Sequence, residues 1–506
     1  MTAAVREYSQ PRADALAPDR LGIWSVLGYV LSGIAPLTVA AGLITVAFAV
    51  TGITGIPFTL AIVVFFLGVF TVGFLSMSGY VSNAGAFYSY VTRGLGRPLG
   101  VGAAAVAFGA YNLLQLALYG MFGASAAQLF GDILHVHRSW WFWALVAWGV
   151  VAVLGTMDVK WVSTVLGVFV AAETTVILAL SIGGLAHPAP EANVAGALSP
   201  SGLTLATGSV AGAVAVLCFV GFEVAPVYRE EAKHATGTII GATTVALLAM
   251  LVTYGLAAWA LIVHYGQNNV VQVARQLGPE MLFRLGGDGW LATAGRWLFL
   301  SSLFAAMMAF HNTVARYTYV LGRERVFPRV LDRINRVRAP WAASALQSLV
   351  GLVAIVLYGP VKHWDPVVRL FFWLGQTGGF LVLGLLGLTS IAVLNFFRTD
   401  RPGLVRKADV SRWRRLVFPA IAGAGLIWLF WEVWSNYSLL LGEQAPSLAS
   451  RLLPASGAAL LLVGLARAGW LYLFRREVYQ RIGQDATVTR PVDVALPHQA
   501  DEGSHR

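Results

Sequence analysis

Two carboxylates set in apolar sequence and two glycine–proline pairs are the parts of this 506-residue chain best suited to chemistry. Glu223 follows Leu217-Cys-Phe-Val-Gly221 in one long apolar run, and Glu173 lies midway along another. An ionised side chain at the centre of a bilayer costs about 2.5–3.5 kcal/mol even on the lenient insertion scale. A carboxyl held there is favoured in its neutral form and is suited to exchanging a proton, unless it is simply a protonated acid bonded to a neighbouring helix. Gly33 and Pro36 share one apolar run, Gly221 and Pro226 another. Glycine admits non-helical dihedrals, and proline lacks an amide donor and clashes with the preceding turn, so each pair predicts an interrupted helix. In lipid, the unpaired backbone groups of an interruption are tolerated only inside protein or beside a cavity. Two interruptions in separate halves of a chain therefore predict a binding site, against the plainer reading of kinks and close helix packing.

Interrupted helices do their chemistry with backbone. The N-terminus of a half-helix offers unpaired amides and about half a positive charge to an anion, and a C-terminus offers carbonyls to an ammonium. A zwitterion fits both. The expected carboxylate receptors are the amides near Gly33, Ile34 and Ala35, and the expected ammonium receptors the carbonyls near Leu31, Ser32 and Phe219 to Gly221. Tyr111 and Gln115 are spaced i, i+4, as are Gln115 and Tyr119, and this stripe is expected to line the cavity or to join helices. Gln376, with Trp373 and Thr377, is expected to close the pocket side, and Phe219 and Phe222 are candidate gates.

The elements that must position these residues are membrane helices. The chain is 57% hydrophobic and only 12% charged, with 54 glycines and 17 tryptophans, which reads as a polytopic membrane protein in a lipid bilayer. Apolar segments recur near residues 24–50, 58–80, 99–130, 140–156, 161–186, 203–227, 239–264, 290–321, 341–358, 367–397, 416–441 and 452–474, predicting twelve spans. Residues 1–20 form a polar arm with no cleavable signal, and 477–506 read as a disordered tail. With the N-terminus inside, 26 lysines and arginines fall on the inner side and five on the outer, so both termini are expected in the cytoplasm. This asymmetry accounts for the net charge of +11, so nucleic acid is not an expected partner. The single cysteine, Cys218, excludes an intramolecular disulfide, and the sequence calls for no metal and no cofactor. The nine histidines are scattered, no phosphate-binding loop is present, and no catalytic constellation is legible, which disfavours a membrane enzyme or an ATP-driven pump. A channel remains the other alternative.

Three stretches carry a family resemblance. Asn83-Ala-Gly-Ala-Phe-Tyr-Ser-Tyr-Val-Thr-Arg-Gly-Leu-Gly-Arg-Pro98 resembles the loop between helices 2 and 3 of the amino acid-polyamine-organocation transporters. Asn312-Thr-Val-Ala-Arg-Tyr-Thr-Tyr-Val-Leu-Gly-Arg-Glu-Arg-Val-Phe-Pro328, followed by Arg338-Ala-Pro340, is similar to their arginine-rich connection between helices 8 and 9. Phe219-Val-Gly-Phe-Glu223 with Glu230-Glu231-Ala232-Lys233 resembles the core and acidic inner end of helix 6. The chain departs from the family at helix 1, where Ser32-Gly33-Ile34-Ala35-Pro36 replaces the usual glycine-flanked motif.

The resemblance implies an all-α, five-plus-five inverted repeat of the LeuT-like kind, with helices 1 and 6 discontinuous around the substrate. The corresponding division is residues 21–190 for the first repeat, 200–398 for the second, and 412–476 for two appended helices. The implied function is secondary active transport of an amino acid across the cytoplasmic membrane by alternating access. A polyamine or other organic amine, imported or exchanged, is the alternative cargo. A proton is the expected coupling ion, carried by Glu223 and Glu173, the latter standing where some proton-coupled relatives have a lysine. Ser301 and Ser302 in helix 8 resemble part of a sodium site in distant relatives, with helix packing as the plainer reading. Substrate side chain and oligomeric state are not legible.

Overall fold

In a bilayer every backbone amide and carbonyl must find a partner within the protein, so apolar runs of this length become helices. The computed structural model describes residues 21–483 apart from 79, 81–84, 158, 201–202, 229–231, 234, 288 and 400–410. The described residues contain helices and no strand. The chain opens with α1 (Ile23–Ile34), a π-helical stretch (Thr38–Leu43) and α2 (Ile44–Thr51), then α3 (Ile56–Ser78), α4 (Ala86–Leu95), α5 (Arg97–Leu134), α6 (Trp140–Leu154) and α7 (Val159–Ala186). The second half runs through α8 (Leu205–Phe219), a 3-10 turn (Phe222–Tyr228) and α9 (Ala235–Tyr265). The short α10 (Val270–Leu277) and α11 (Glu280–Phe283) lead to α12 (Trp290–Arg323), and α13 (Trp341–Val356) ends in a π-helical turn. A second long π-helical stretch (Pro366–Trp373) leads into α14 (Leu374–Arg398). The chain closes with α15 (Phe418–Ser435), α16 (Tyr437–Leu440), α17 (Leu448–Phe474) and α18 (Arg476–Arg481).

Among the described residues, ten helices are long and apolar enough to cross a membrane. The sequence reading of twelve spans differs by two stretches with a structural explanation. The first apolar run is cut by its own interruption into α1 and the 14-residue apolar piece Thr38–Thr51, and α6 has only 15 residues.

The 38-residue α5 is about 57 Å long at 1.5 Å per residue, far more than the roughly 30 Å hydrocarbon core, and forms a post against which α4, α6, α12, α14 and α17 pack. Helix α17 approaches it so closely that a Cβ on Gly464 would lie 2.6 Å from the Gly102 Cα, a contact only small residues allow.

Arginines within or at the ends of spans are held rather than stranded. Arg296 pairs with Glu280 at 2.8 Å, Arg467 Nε donates to the Val326 carbonyl at 2.9 Å, and Arg369 lies over Trp364 and Trp373. The segment expected as a disordered tail retains order through its first residues. Arg97 Nη2 donates to the Gln480 carbonyl at 2.8 Å, Gly483 N donates to Glu324 at 2.9 Å, and Ile482 is buried, so polar anchoring and an apolar plug together hold α18 in place. Residues 484–506 lie outside the described residues, as does the arm 1–20.

Candidate functional site

The first interruption follows from Ala35 and Pro36. The last turn of α1 closes with Ala35 N donating to the Leu31 carbonyl at 2.8 Å, and Ala35 itself sits in the left-handed region at φ 50° and ψ 77°. That conformation costs a non-glycine residue about 1–2 kcal/mol and turns the chain out of the helix. Pro36, preset at a helical φ, then restarts the helix and has no amide to leave unpaired. The first free amides are therefore Leu37 and Thr38. Leu37 N donates to Glu173 Oε2 at 3.4 Å, and Thr38 N donates to Ser302 Oγ at 3.1 Å. The Thr38 hydroxyl also donates to Ser302 Oγ at 3.1 Å, and Tyr254 OH donates to the Ile34 carbonyl at 3.1 Å.

The second interruption lies against the first. Helix α8 ends at Phe219, Val220 is extended, and Gly221 adopts φ 117° before the 3-10 turn begins. A Cβ on Gly221 would stand 2.8 Å from the Gly33 carbonyl carbon and from the Ile34 amide nitrogen, so only glycine lets the two backbones meet. Gly221 N donates to Glu223 Oε2 at 2.9 Å, and Tyr111 OH donates to Glu223 Oε1 at 3.0 Å. Glu173 and Glu223 are both fully buried. Each interruption thus has one of its free amides bonded to a carboxyl of the chain itself.

A cavity of about 60 Å³, partly open to the outside, adjoins this junction. Gly33, Ile34, Ala35 and Val220 form its floor at the interruptions. Two π-helical stretches contribute to its walls, one through Thr38, Val39 and Leu43 and the other through Phe371. Helices α5, α8 and α12 add Leu114, Leu217 and Phe310. Among the described residues no three histidine, cysteine, aspartate or glutamate side chains converge as a metal site would require.

Residues 21–446 match the amino acid permease family. The chain belongs to that family. It is also 25% identical over 344 residues to transporters described as uncharacterized, one from Mycobacterium bovis and two from strains of Mycobacterium tuberculosis. The match covers 66% of this chain and spans 66% of the length of those relatives. The chain is therefore a multi-pass membrane protein of the amino acid permease family.

The residues singled out in the sequence divide into three groups in the permease. Gly33, Ile34 and Ala35 line the cavity, but their amides are not the free ones: Gly33 and Ile34 lie in the last turn of α1, Ala35 N closes that turn, and the free amides come at Leu37 and Thr38. Tyr111, Gly221 and Glu223 form one hydrogen-bonded group directly behind the second interruption. Phe219, Phe222, Gln115 and Gln376 are buried away from the cavity wall.

The positions in that last group have identifiable partners or none. Phe219 packs edge-on against Tyr254, and Phe222 edge-on against Phe70. Gln115 donates to Tyr119 OH at 3.2 Å and accepts from Gln347 of α13 at 3.4 Å. Gln376 has no partner for either side-chain atom among the described residues. Thr377 bonds Tyr437 at 2.8 Å, and Trp373 Nε1 donates to the Leu441 carbonyl at 3.2 Å, so both face the α16 region rather than the cavity. The Ser32 side chain lies outside the described residues. Sequence reasoning gave no role to Thr38 or Tyr254; Thr38, two residues past Pro36, carried a usable signal, because that is where a restarted helix has unpaired amides.

Proposed function

We propose that the permease is a secondary active transporter that moves an amino acid across the cytoplasmic membrane by alternating access. In this reading both termini are cytoplasmic and there are twelve spans. The interrupted segments 23–51 and 205–228 are the first and sixth, and the repeats 21–190 and 200–398 are related by inversion, with 412–476 appended. The single observation that carries the proposal is the meeting of the two interruptions, with Gly221 against Gly33 and Ile34, at the floor of a cavity.

The substrate ammonium is held by the carbonyls that end α1 and α8, near Gly33 and Val220. Its carboxylate takes the amides of Leu37 and Thr38, which in this structure bond to Glu173 and Ser302. Substrate binding then displaces Glu173. A carboxylate released among apolar side chains has lost its partner, so displacement and uptake of a proton go together. Glu223, bonded to Gly221 N and Tyr111, is the second proton carrier and reports on the geometry of the other interruption. These linkages support proton-coupled transport or exchange.

A second reading, transport of a polyamine or other amine, is favoured by one observation. The free amides already bond to groups of the protein, which leaves the backbone carbonyls at the interruptions to meet a cation. Counterflow in proteoliposomes preloaded with single unlabelled compounds tests both. The proposal expects saturable exchange with α-amino acids and at least tenfold weaker exchange with amines lacking a carboxylate. The reverse order favours the second reading, and non-saturating flux without exchange indicates a channel.

A further inference from the structure

We infer that the cargo is a neutral amino acid with an apolar side chain, such as leucine, isoleucine, valine, methionine or phenylalanine. The inference rests on the amino acid transport reading above and narrows it. Beyond the backbone floor, the cavity wall is made by Leu43, Leu114, Leu118, Leu217, Phe310 and Phe371. Among the described residues its one polar side chain is Thr38, whose hydroxyl already donates to Ser302.

Three nearby polar side chains are engaged elsewhere, and the fourth, Gln376, is buried off the cavity wall. Glu173 and Glu223 bond backbone amides, Gln115 bonds Tyr119 and Gln347, and none of these residues belongs to the cavity wall. A lysine, arginine, aspartate or glutamate side chain would enter this wall without a counter-charge, and an asparagine or glutamine side chain without hydrogen-bond partners. Both losses weigh heavily against a wall of apolar side chains. An aliphatic or phenyl group gains in the same place by leaving water.

Gly375 supplies a variant that changes the wall without straining the backbone. It lines the cavity, and an added Cβ would meet only Ala117 Cβ and Leu217 Cδ2, each at 3.7 Å, which is ordinary contact. Gly375→Ala therefore folds and removes one methyl's worth of space.

The experiment is competition against uptake of radiolabelled leucine by the full-length protein in proteoliposomes. Unlabelled apolar, polar, acidic and basic amino acids are compared with putrescine. The expected result is that the apolar group competes at least tenfold better than serine, asparagine, aspartate or lysine. In Gly375→Ala the inhibition constant for leucine or phenylalanine should rise about tenfold or more relative to that for alanine. If lysine, arginine, aspartate or glutamate competes as well as leucine or better, the inference is overturned while the amino acid transport reading stands. An unchanged leucine-to-alanine ratio in a folded Gly375→Ala protein also overturns it. If no amino acid is taken up saturably and putrescine is, the transport reading itself fails and the inference fails with it.

Discussion

Gly221→Ala is expected to abolish transport and to lower the yield of folded protein, whereas Gly33→Ala is expected to fold normally and to lose substrate affinity. The difference is steric. At Gly221 a side chain must adopt φ 117°, a region L-residues rarely occupy, and its Cβ would press to 2.8 Å from backbone atoms of Gly33 and Ile34. Strained dihedrals of this kind cost about 1–3 kcal/mol before the clash is counted. Backbone at a packed junction cannot move aside as a flexible side-chain end can. At Gly33 the added Cβ meets only Gly221 Cα at 3.8 Å and Ala309 Cβ at 3.9 Å, and a helical glycine-to-alanine change favours the helix by about 0.5–1 kcal/mol. Gly33 does line the cavity, so the methyl occupies space next to the proposed ammonium site. Fluorescence-detected size-exclusion chromatography separates the folding effects, and leucine counterflow the functional ones. Equal behaviour of the two variants would contradict the geometry of the junction.

The second large effect concerns energy coupling. Glu223→Gln is expected to remove proton-driven accumulation while leaving substrate exchange intact. Glutamine keeps the size of the side chain, its oxygen can still accept from Gly221 N, and its amide can donate to the Tyr111 oxygen in place of the present bond. Only titration is lost. A potential of 100 mV contributes about 2.3 kcal/mol per charge moved, which at about 1.4 kcal/mol per tenfold sustains a gradient of roughly fifty-fold. Accumulation in the variant should fall from that order to near unity. Glu173→Gln is expected to act in the same direction. Glu223→Ala differs, because it leaves Gly221 N and Tyr111 OH buried without their acceptor, at about 1–3 kcal/mol each, and should lower stability as well. Normal accumulation in Glu223→Gln, with wild-type uptake driven by sodium and not by a proton gradient, would make Glu223 structural and turn attention to Ser302 and Thr38.

The position of each interruption was legible because glycine and proline act locally. Its fine structure was not. The left-handed residue of the first interruption is Ala35 rather than Gly33, and Pro36 starts the next helix, which moves the free amides to Leu37 and Thr38. The i, i+4 stripe on α5 joins helices rather than lining the cavity, for a geometric reason. Each step of four residues advances about 40° around a helix, so Tyr111 and Tyr119 diverge by about 80°. Tyr111 consequently meets Glu223 beyond α8, while Gln115 and Tyr119 turn toward α13, where Tyr119 abuts Gly351. The cavity wall was invisible in the sequence for the opposite reason: Leu114, Leu217, Phe310 and Phe371 are apolar residues among apolar residues, and no periodicity marks which of them face a void. The partners of Glu173 depend on how α7 meets the restarted helix, a tertiary contact with no local signal.

The central claim, that the joined interruptions hold the cargo, is tested most directly by a cryo-EM map of the protein with leucine bound. The account predicts ligand density against Gly33, Ile34, Ala35 and Val220, the ligand carboxylate on the Leu37 and Thr38 amides, and Glu173 withdrawn from Leu37 N. Density seated instead in the groove lined by Trp148, Ser344 and Leu349 between α6 and α13, with Glu173 still bonded to Leu37 N, would contradict it.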